Sequence, residues 1–225
     1  IMEEYVESTF GRIYTILTHR NQTLMILVPG LGSSRNSLCF KDIEAFSQNS
    51  VLRFDFPGHG KSSGKPQISY EEQSNVLKFL KQHFNYEKYI LFGHSKGATV
   101  ALLACSQNDQ LIIVGGRYLL GQQPKGRFTE DELEKIKTQK VVKTFNHIKF
   151  EIGQEWFEER KQIESKMEQL VKIPSSTIII HGKQDNVVEP SNAEIWSLKS
   201  GGNLFLLENK GHSDIDWESI QNIVK

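Results

Sequence analysis

The chain has 225 residues, 27 basic and 27 acidic side chains, no formal net charge, and 38% hydrophobic residues. That length supports one sizeable core, in a single domain or a domain carrying an insertion. Balanced charge argues against a broad basic surface for nucleic acid or anionic lipid. The longest apolar run, Val100 to Cys105, falls far short of the roughly 18 residues a membrane span needs.

Ile1-Met2-Glu3-Glu4 lacks the basic stretch and apolar run of a secretory leader, so a cytoplasmic location is expected. Cys39 and Cys105 could pair once, but the chain needs no disulfide framework to fold, and Cys105 reads as a buried thiol in an apolar stretch. No Cys/His spacing suggests zinc, and no Walker-type or dinucleotide-type glycine loop is present. The expectation is a soluble protein using neither metal nor organic cofactor, with a small molecule as its partner.

Short runs rich in β-branched and aromatic residues recur along the chain: Glu4–Ser8, Arg12–Thr18, Leu24–Val28, Val51–Asp55, Tyr89–Phe92, Leu111–Val114, Thr177–Ile180 and Leu204–Leu207. Gly11 between the first two predicts an antiparallel hairpin at one edge. Leu24-Met25-Ile26-Leu27-Val28 and Leu111-Ile112-Ile113-Val114 are apolar on both sides of the pleat, as strands covered by helices must be. Ser69-Tyr70-Glu71-Glu72 is a capping box, followed by Val76, Leu77, Leu80 and Phe84 on one helical stripe. Lys96–Ser106, Asn192–Leu198 and Asp214–Val224 are the other predicted helices. Strands alternating with helices imply right-handed crossovers and a mostly parallel sheet with helices on both faces.

The alternation stops from Gly121 to Lys172, where no strand pattern is read. Thr129-Glu130-Asp131-Glu132 forms a second capping box leading to Leu133, Ile136 and Phe145. Gln154 to Leu170 then carries Trp156, Phe157, Ile163, Met167 and Leu170 among many charges. Two readings stand: a solvated helical connection, or a helical lid with its apolar stripes turned down onto a pocket.

Gly93-His94-Ser95-Lys96-Gly97 matches G-x-S-x-G, a weak signal alone. Here it follows the strand Tyr89–Phe92 and opens a helix, the setting of a nucleophile elbow. Ser95 would take a strained positive φ there, with the two glycines letting strand and helix approach.

A serine hydroxyl needs a base, and the base needs an orienting acid. His94 adjoins Ser95 and should face away from it, His59 sits in a turn, and His181 ends a strand. His19, His83 and His147 have no acid in a plausible position. His212, in Lys210-Gly211-His212-Ser213, follows the last strand at the carboxyl edge where parallel sheets place their sites. Asp185, after the strand Thr177–Ile180, is the favoured acid. Asp214 and Asp216 are rivals, placed where a helix begins. Stabilising a tetrahedral oxyanion takes two fixed donors. The backbone N–H of Lys96 and that of Leu31, in Pro29-Gly30-Leu31-Gly32-Ser33, are the candidates.

These segments, with Asp55-Phe56-Pro57-Gly58-His59-Gly60-Lys61-Ser62 and Gly116-Arg117-Tyr118, make nearly the whole chain resemble an α/β-hydrolase. Within that superfamily it is similar to the serine-aminopeptidase-like and cinnamoyl or feruloyl-esterase-like small hydrolases. The resemblance implies an eight-stranded sheet in a single domain over 1–225, with a lid at about 121–172. It gives Asp55 and His59 a structural turn rather than a catalytic role. Pro29-Gly30 departs from the His-Gly usual in the family, and Ala98 from a glycine often found after the elbow.

The resulting expectation is a serine hydrolase, a carboxylesterase acting through Ser95, His212 and Asp185 by an acyl-enzyme. An aminopeptidase or thioesterase on the same triad is the alternative. The aminopeptidase would need acidic lid groups such as Glu151, Glu155 or Glu158 in the pocket. A non-catalytic receptor or scaffold of the same fold is the alternative from another class.

Overall fold

The computed structural model describes residues 1–124, 126–169, 174 and 176–224. In chain order the elements are β1 (Met2–Val6), β2 (Ile13–Thr18), β3 (Thr23–Val28), α1 (Phe40–Phe46), β4 (Ser50–Phe54), α2 (Tyr70–Phe84), β5 (Lys88–His94) and α3 (Lys96–Ala104). There follow β6 (Gln110–Val114), α4 (Glu130–Ile136), β7 (Val141–Phe145), β8 (Ile148–Ile152), α5 (Gln154–Gln169), β9 (Ile178–Gly182), α6 (Ser191–Ser200), β10 (Asn203–Leu207) and α7 (Trp217–Ile220). All eight expected runs became strands of one sheet, ordered β1-β2-β4-β3-β5-β6-β9-β10. β1 and β2 pair antiparallel, as do β2 and β4, and every later neighbour is parallel. No helix among the described residues is long and apolar enough to cross a membrane.

The two-sided apolar pattern has its expected cause. Along β3, Leu24, Ile26 and Val28 face the core under α2, α3 and α6, whereas Met25 and Leu27 face the core under α1 and α7. α1 was not anticipated: it is seven residues long, only Phe40 and Ile43 among its hydrophobics are buried, and Cys39 gives it no side-chain cap. The helix expected over Asp214–Val224 contracts to α7, because Asp216 caps it by accepting from Ser219 N at 3.0 Å. The two cysteines are free. Cys39 is buried and Cys105, at the end of α3, is only partly so.

The segment from Gly121 differs from its helical expectation. α4 and α5 are present, and both halves of the Thr129/Glu132 capping box form. Between them, however, β7 and β8 make an antiparallel hairpin, and Phe145 belongs to β7 rather than to the α4 stripe. The turn places Asn146 and His147 at φ 46° and 70°, the left-handed pair a two-residue hairpin requires. Leu170 and the expected boundary at Lys172 lie outside the described residues. Ile136, Phe150, Ile152 and Trp156 form a small core of their own, packed against Leu31 and Ile68 of the main domain.

One buried ion pair ties the outer helix α1 to the sheet. Arg53 Nε donates to Glu44 Oε2 at 2.7 Å, Thr18 Oγ1 donates to Glu44 Oε1 at 2.7 Å, and Glu44 and Arg53 are 7% and 6% exposed. Arg53 also donates to Asn36 Oδ1 at 2.9 Å, in the loop leading to α1. Removing one charge leaves the other buried and uncompensated. Glu44→Gln is therefore expected to lower unfolding free energy by about 3–5 kcal/mol, and adding Arg53→Met should restore part of it. Urea denaturation of the single and double variants measures both.

Candidate active site

Ser95 is the last residue before α3, at φ 55° and ψ −121°. This conformation is reached because strand and helix nearly touch. A Cβ on Gly93 would lie 2.4 Å from Gly97 O, and one on Gly97 would lie 2.3 Å from Val28 O, distances that exclude any side chain. The Ser95 amide donates to Val114 O at 2.8 Å, anchoring the turn to β6.

Three loops at the carboxyl ends of parallel strands then converge. Asp185 follows β9, and its N–H donates to Gly182 O at 3.2 Å. His212 follows β10. His212 Nδ1 lies 2.7 Å from Asp185 Oδ2, and His212 Nε2 lies 3.0 Å from Ser95 Oγ. A carboxylate can only accept, so Nδ1 carries the proton and Nε2 turns its lone pair to the hydroxyl. The rival acids are engaged elsewhere: Asp214 Oδ1 accepts from Gly211 N, and Asp216 pairs with Lys210.

Two neighbours of this chain were not read from sequence as part of it. His181 Nε2, fully buried, lies 3.1 Å from Asp185 Oδ2 and 2.9 Å from Val188 O, so its N–H is shared between two acceptors. His94 Nε2 donates to His212 O at 3.0 Å, with the two rings 5.0 Å apart. The i, i+4 spacing of His181 and Asp185 was a usable signal for the first. Nothing linear links His94 to residue 212.

His59 and Asp55 stay in their turn. His59 is buried against Phe56 and Phe150, its Nδ1 donating to Pro57 O at 2.9 Å. Asp55 holds the Arg35 guanidinium and the Lys61 N–H.

Ser95 opens on two cavities. One is a groove walled by Leu31, Ser33, His94, His212 and, from the hairpin, Phe145 and Asn146. The other, smaller, lies on the α3 side and is walled by Leu31, Lys96, Arg117, Trp156 and Arg160 among others. Residues from the 121–169 segment thus border Ser95 on both sides, and Asn146 Nδ2 donates to Leu31 O at 3.3 Å. Leu31 reaches both cavities, and Lys96 follows Ser95 directly at the first turn of α3. Glu151, Glu155 and Glu158 are exposed and border neither cavity. Among the described residues no three His, Cys, Asp or Glu side chains converge as a metal site.

A family model described as alpha/beta hydrolase fold matches residues 23–114, from β3 through the Ser95 turn to β6. Three solved structures extend the likeness over nearly the whole chain. Alpha/beta hydrolase domain-containing protein 10 from mouse has a TM-score of 0.77 at 15% identity, covering 100% of this chain and 96% of that one. The chain is an α/β-hydrolase in fold. A monoacylglycerol lipase from Paleococcus ferrophilus aligns at TM-score 0.73 and 18% identity, covering 94% and 96% of the two chains. Est1E from Butyrivibrio proteoclasticus aligns at 0.73 and 14%, covering 99% and 95%.

On this fold the groups around Ser95 are held in defined protonation states. Burial alone would raise the Asp185 carboxyl; hydrogen bonds from His181, His212 and Val188 outweigh it and hold the group well below the ordinary carboxylate range. Burial, with His212 alongside, pushes His94 down to about 3, so its ring is neutral. Burial also pushes the Lys96 ammonium down from 10.5 to about 7. The Lys96 side chain donates to Gln73 Oε1 and to Ser69 O at 3.3 Å, with Nζ 4.5 Å from the centre of the Tyr70 ring.

A lysine depressed in the folded state costs stability, because the unfolded chain binds its proton more tightly. That cost is absent above pH 10.5, grows as pH falls, and is complete below about 7. The stability of Lys96→Met relative to the parent should therefore rise as pH is lowered from 10.5 to 6. Chemical denaturation at several pH values checks the trend, and a pH-independent difference would contradict it.

Proposed function

We propose that the protein is a serine hydrolase that cleaves a carboxylic ester through an acyl-enzyme. The observation carrying this reading is the continuous hydrogen-bonded chain from Ser95 Oγ through His212 to Asp185. Ser95 attacks the substrate carbonyl while His212 Nε2 accepts its proton. Asp185 fixes the ring tautomer and stabilises the imidazolium. The backbone amides of Leu31 and Lys96 hold the oxyanion. His212 then passes the proton to the leaving alkoxide, activates a water, and the acid departs with Ser95 regenerated.

Likeness to the monoacylglycerol lipase structure supports hydrolase chemistry on this fold. The segment 121–169 serves as the cover of the site, since it borders Ser95 from both sides. Ester cleavage is favoured over aminopeptidase action because the three glutamates that could receive an ammonium group lie outside both cavities.

Purified protein should hydrolyse short p-nitrophenyl acyl esters and react with a fluorophosphonate, with Ser95→Ala abolishing both. Asp185→Asn should retain labelling weakly and lose about 10³- to 10⁴-fold in kcat. Unchanged labelling of Ser95→Ala, or none of the wild type, would refute the assignment.

A further inference from the structure

The cavity on the α3 side of Ser95 is bordered by four basic side chains and, among the described residues, by no acid. Three are arginines from separate segments: Arg117 after β6, Arg127 before α4, and Arg160 within α5. The fourth is Lys96. Arg160 is 4% exposed, yet among the described residues its guanidinium meets only neutral partners: the Tyr70 hydroxyl at 3.2 Å, Gln122 O at 3.0 Å, and the Trp156 ring at 4.8 Å. Arg117 donates to Val187 O at 2.6 Å, and Arg127, which borders the groove as well as this cavity, sits 5.3 Å from the centre of the Phe145 ring. Among the described residues none of the four is ion-paired with a carboxylate.

Nearby carboxylates are engaged. Glu159, whose field reaches Lys96, accepts from Ser69 Oγ at 2.6 Å and from Glu71 N at 3.0 Å. Asp185 is taken by His212, His181 and two backbone amides. Burial and the charge of Arg160 both work against the charged forms of Arg117 and Arg127. Two further polar atoms on bordering residues, Thr99 Oγ1 and Trp156 Nε1, are buried without a partner. A half-buried set of like charges is costly unless something of opposite charge enters it.

Which part of a substrate would enter follows from the proton path. The leaving oxygen must receive a proton from His212, and His212 borders the groove and not the cationic cavity. The alcohol therefore occupies the groove, and the acyl chain turns the other way. We propose that the cationic cavity binds a terminal oxyanion on the acyl chain, making the substrate an ester of an acid that carries a second carboxylate or a phosphate-type group. This assignment of the acyl side rests on Ser95 being the nucleophile.

The test compares mono-p-nitrophenyl glutarate, p-nitrophenyl 4-phosphonobutanoate and the neutral p-nitrophenyl pentanoate. Wild type should favour at least one anionic ester over the neutral one in kcat/KM by about tenfold or more. Whichever anion is preferred distinguishes carboxylate from phosphate-type recognition. Arg127→Met and Arg117→Met should each collapse the anionic-to-neutral ratio, a quantity that cancels general loss of activity. Arg127→Lys should restore part of it. Glutarate and inorganic phosphate are also titrated calorimetrically into Ser95→Ala, whose binding needs no chemistry. Anion binding that Arg127→Met removes, without hydrolysis of any ester, would uphold the anion site and overturn the nucleophile. Ester hydrolysis with no anionic preference, and no anion binding to Ser95→Ala, would overturn the anion site alone.

Discussion

The near-contact of β5 and α3 is the constraint on which the rest of the site depends. With Gly93 and Gly97 bare, the chain reverses within one residue, and that residue is Ser95. Any side chain at either glycine would push the helix off the strand and relax the left-handed turn. The turn does two things at once. It lifts the hydroxyl clear of the sheet, and it leaves the first turn of α3 behind the serine, where the helix's unpaired N–H groups favour negative charge.

Sheet order supplies the remaining parts. β4 lies on one side of β3 and β5 on the other, so the loops after β3 and β5 diverge and leave a crevice between them. Leu31 and Ser95 face each other across it. β9 and β10 continue the parallel array, and their loops bring Asp185 and His212 to the same edge. The Asp185 carboxylate is over-determined: Val187 N and Val188 N donate to one oxygen at 2.9 and 2.8 Å, while His212 and His181 reach the other. His94, neutral and buried, pins the His212 backbone from the opposite side. Each member of the hydrogen-bonded chain thus has its orientation set by something other than its neighbour in that chain.

Much of this was legible in the residues. Strands covered on both faces carry long apolar runs, so the eight-stranded sheet could be read directly. The glycine spacing around Ser95, with the strand before it and the helix after it, marked the turn. Asp185 and His212 were recognisable because they follow strands, and a parallel sheet sends all such loops to one edge. What stayed hidden depends on three dimensions. The β7–β8 hairpin was missed although Ile148-Lys149-Phe150-Glu151-Ile152 alternates with period two. Leu133, Ile136 and Phe145 look like one helical stripe, but α4 ends at Ile136 and Phe145 belongs to β7. Arg117, Arg127 and Arg160 come from three segments with no common motif, and only packing of the cover onto the sheet places them around one cavity.

The two sides of Ser95 therefore differ in character, a broad groove beside His212 and a cationic cavity beside α3, and the serine is the point where both meet. If Ser95 is the nucleophile, this oxygen becomes covalently acylated during turnover. Rapid quenching in acid within the first turnover on p-nitrophenyl acetate, followed by intact mass measurement and peptide mapping, examines that event itself. One acetyl group per chain is expected, located on Ser95 and disappearing as substrate is exhausted. An acetyl group on another residue as the turnover species, or turnover with no acylated protein under conditions where deacylation is slowed, would contradict it.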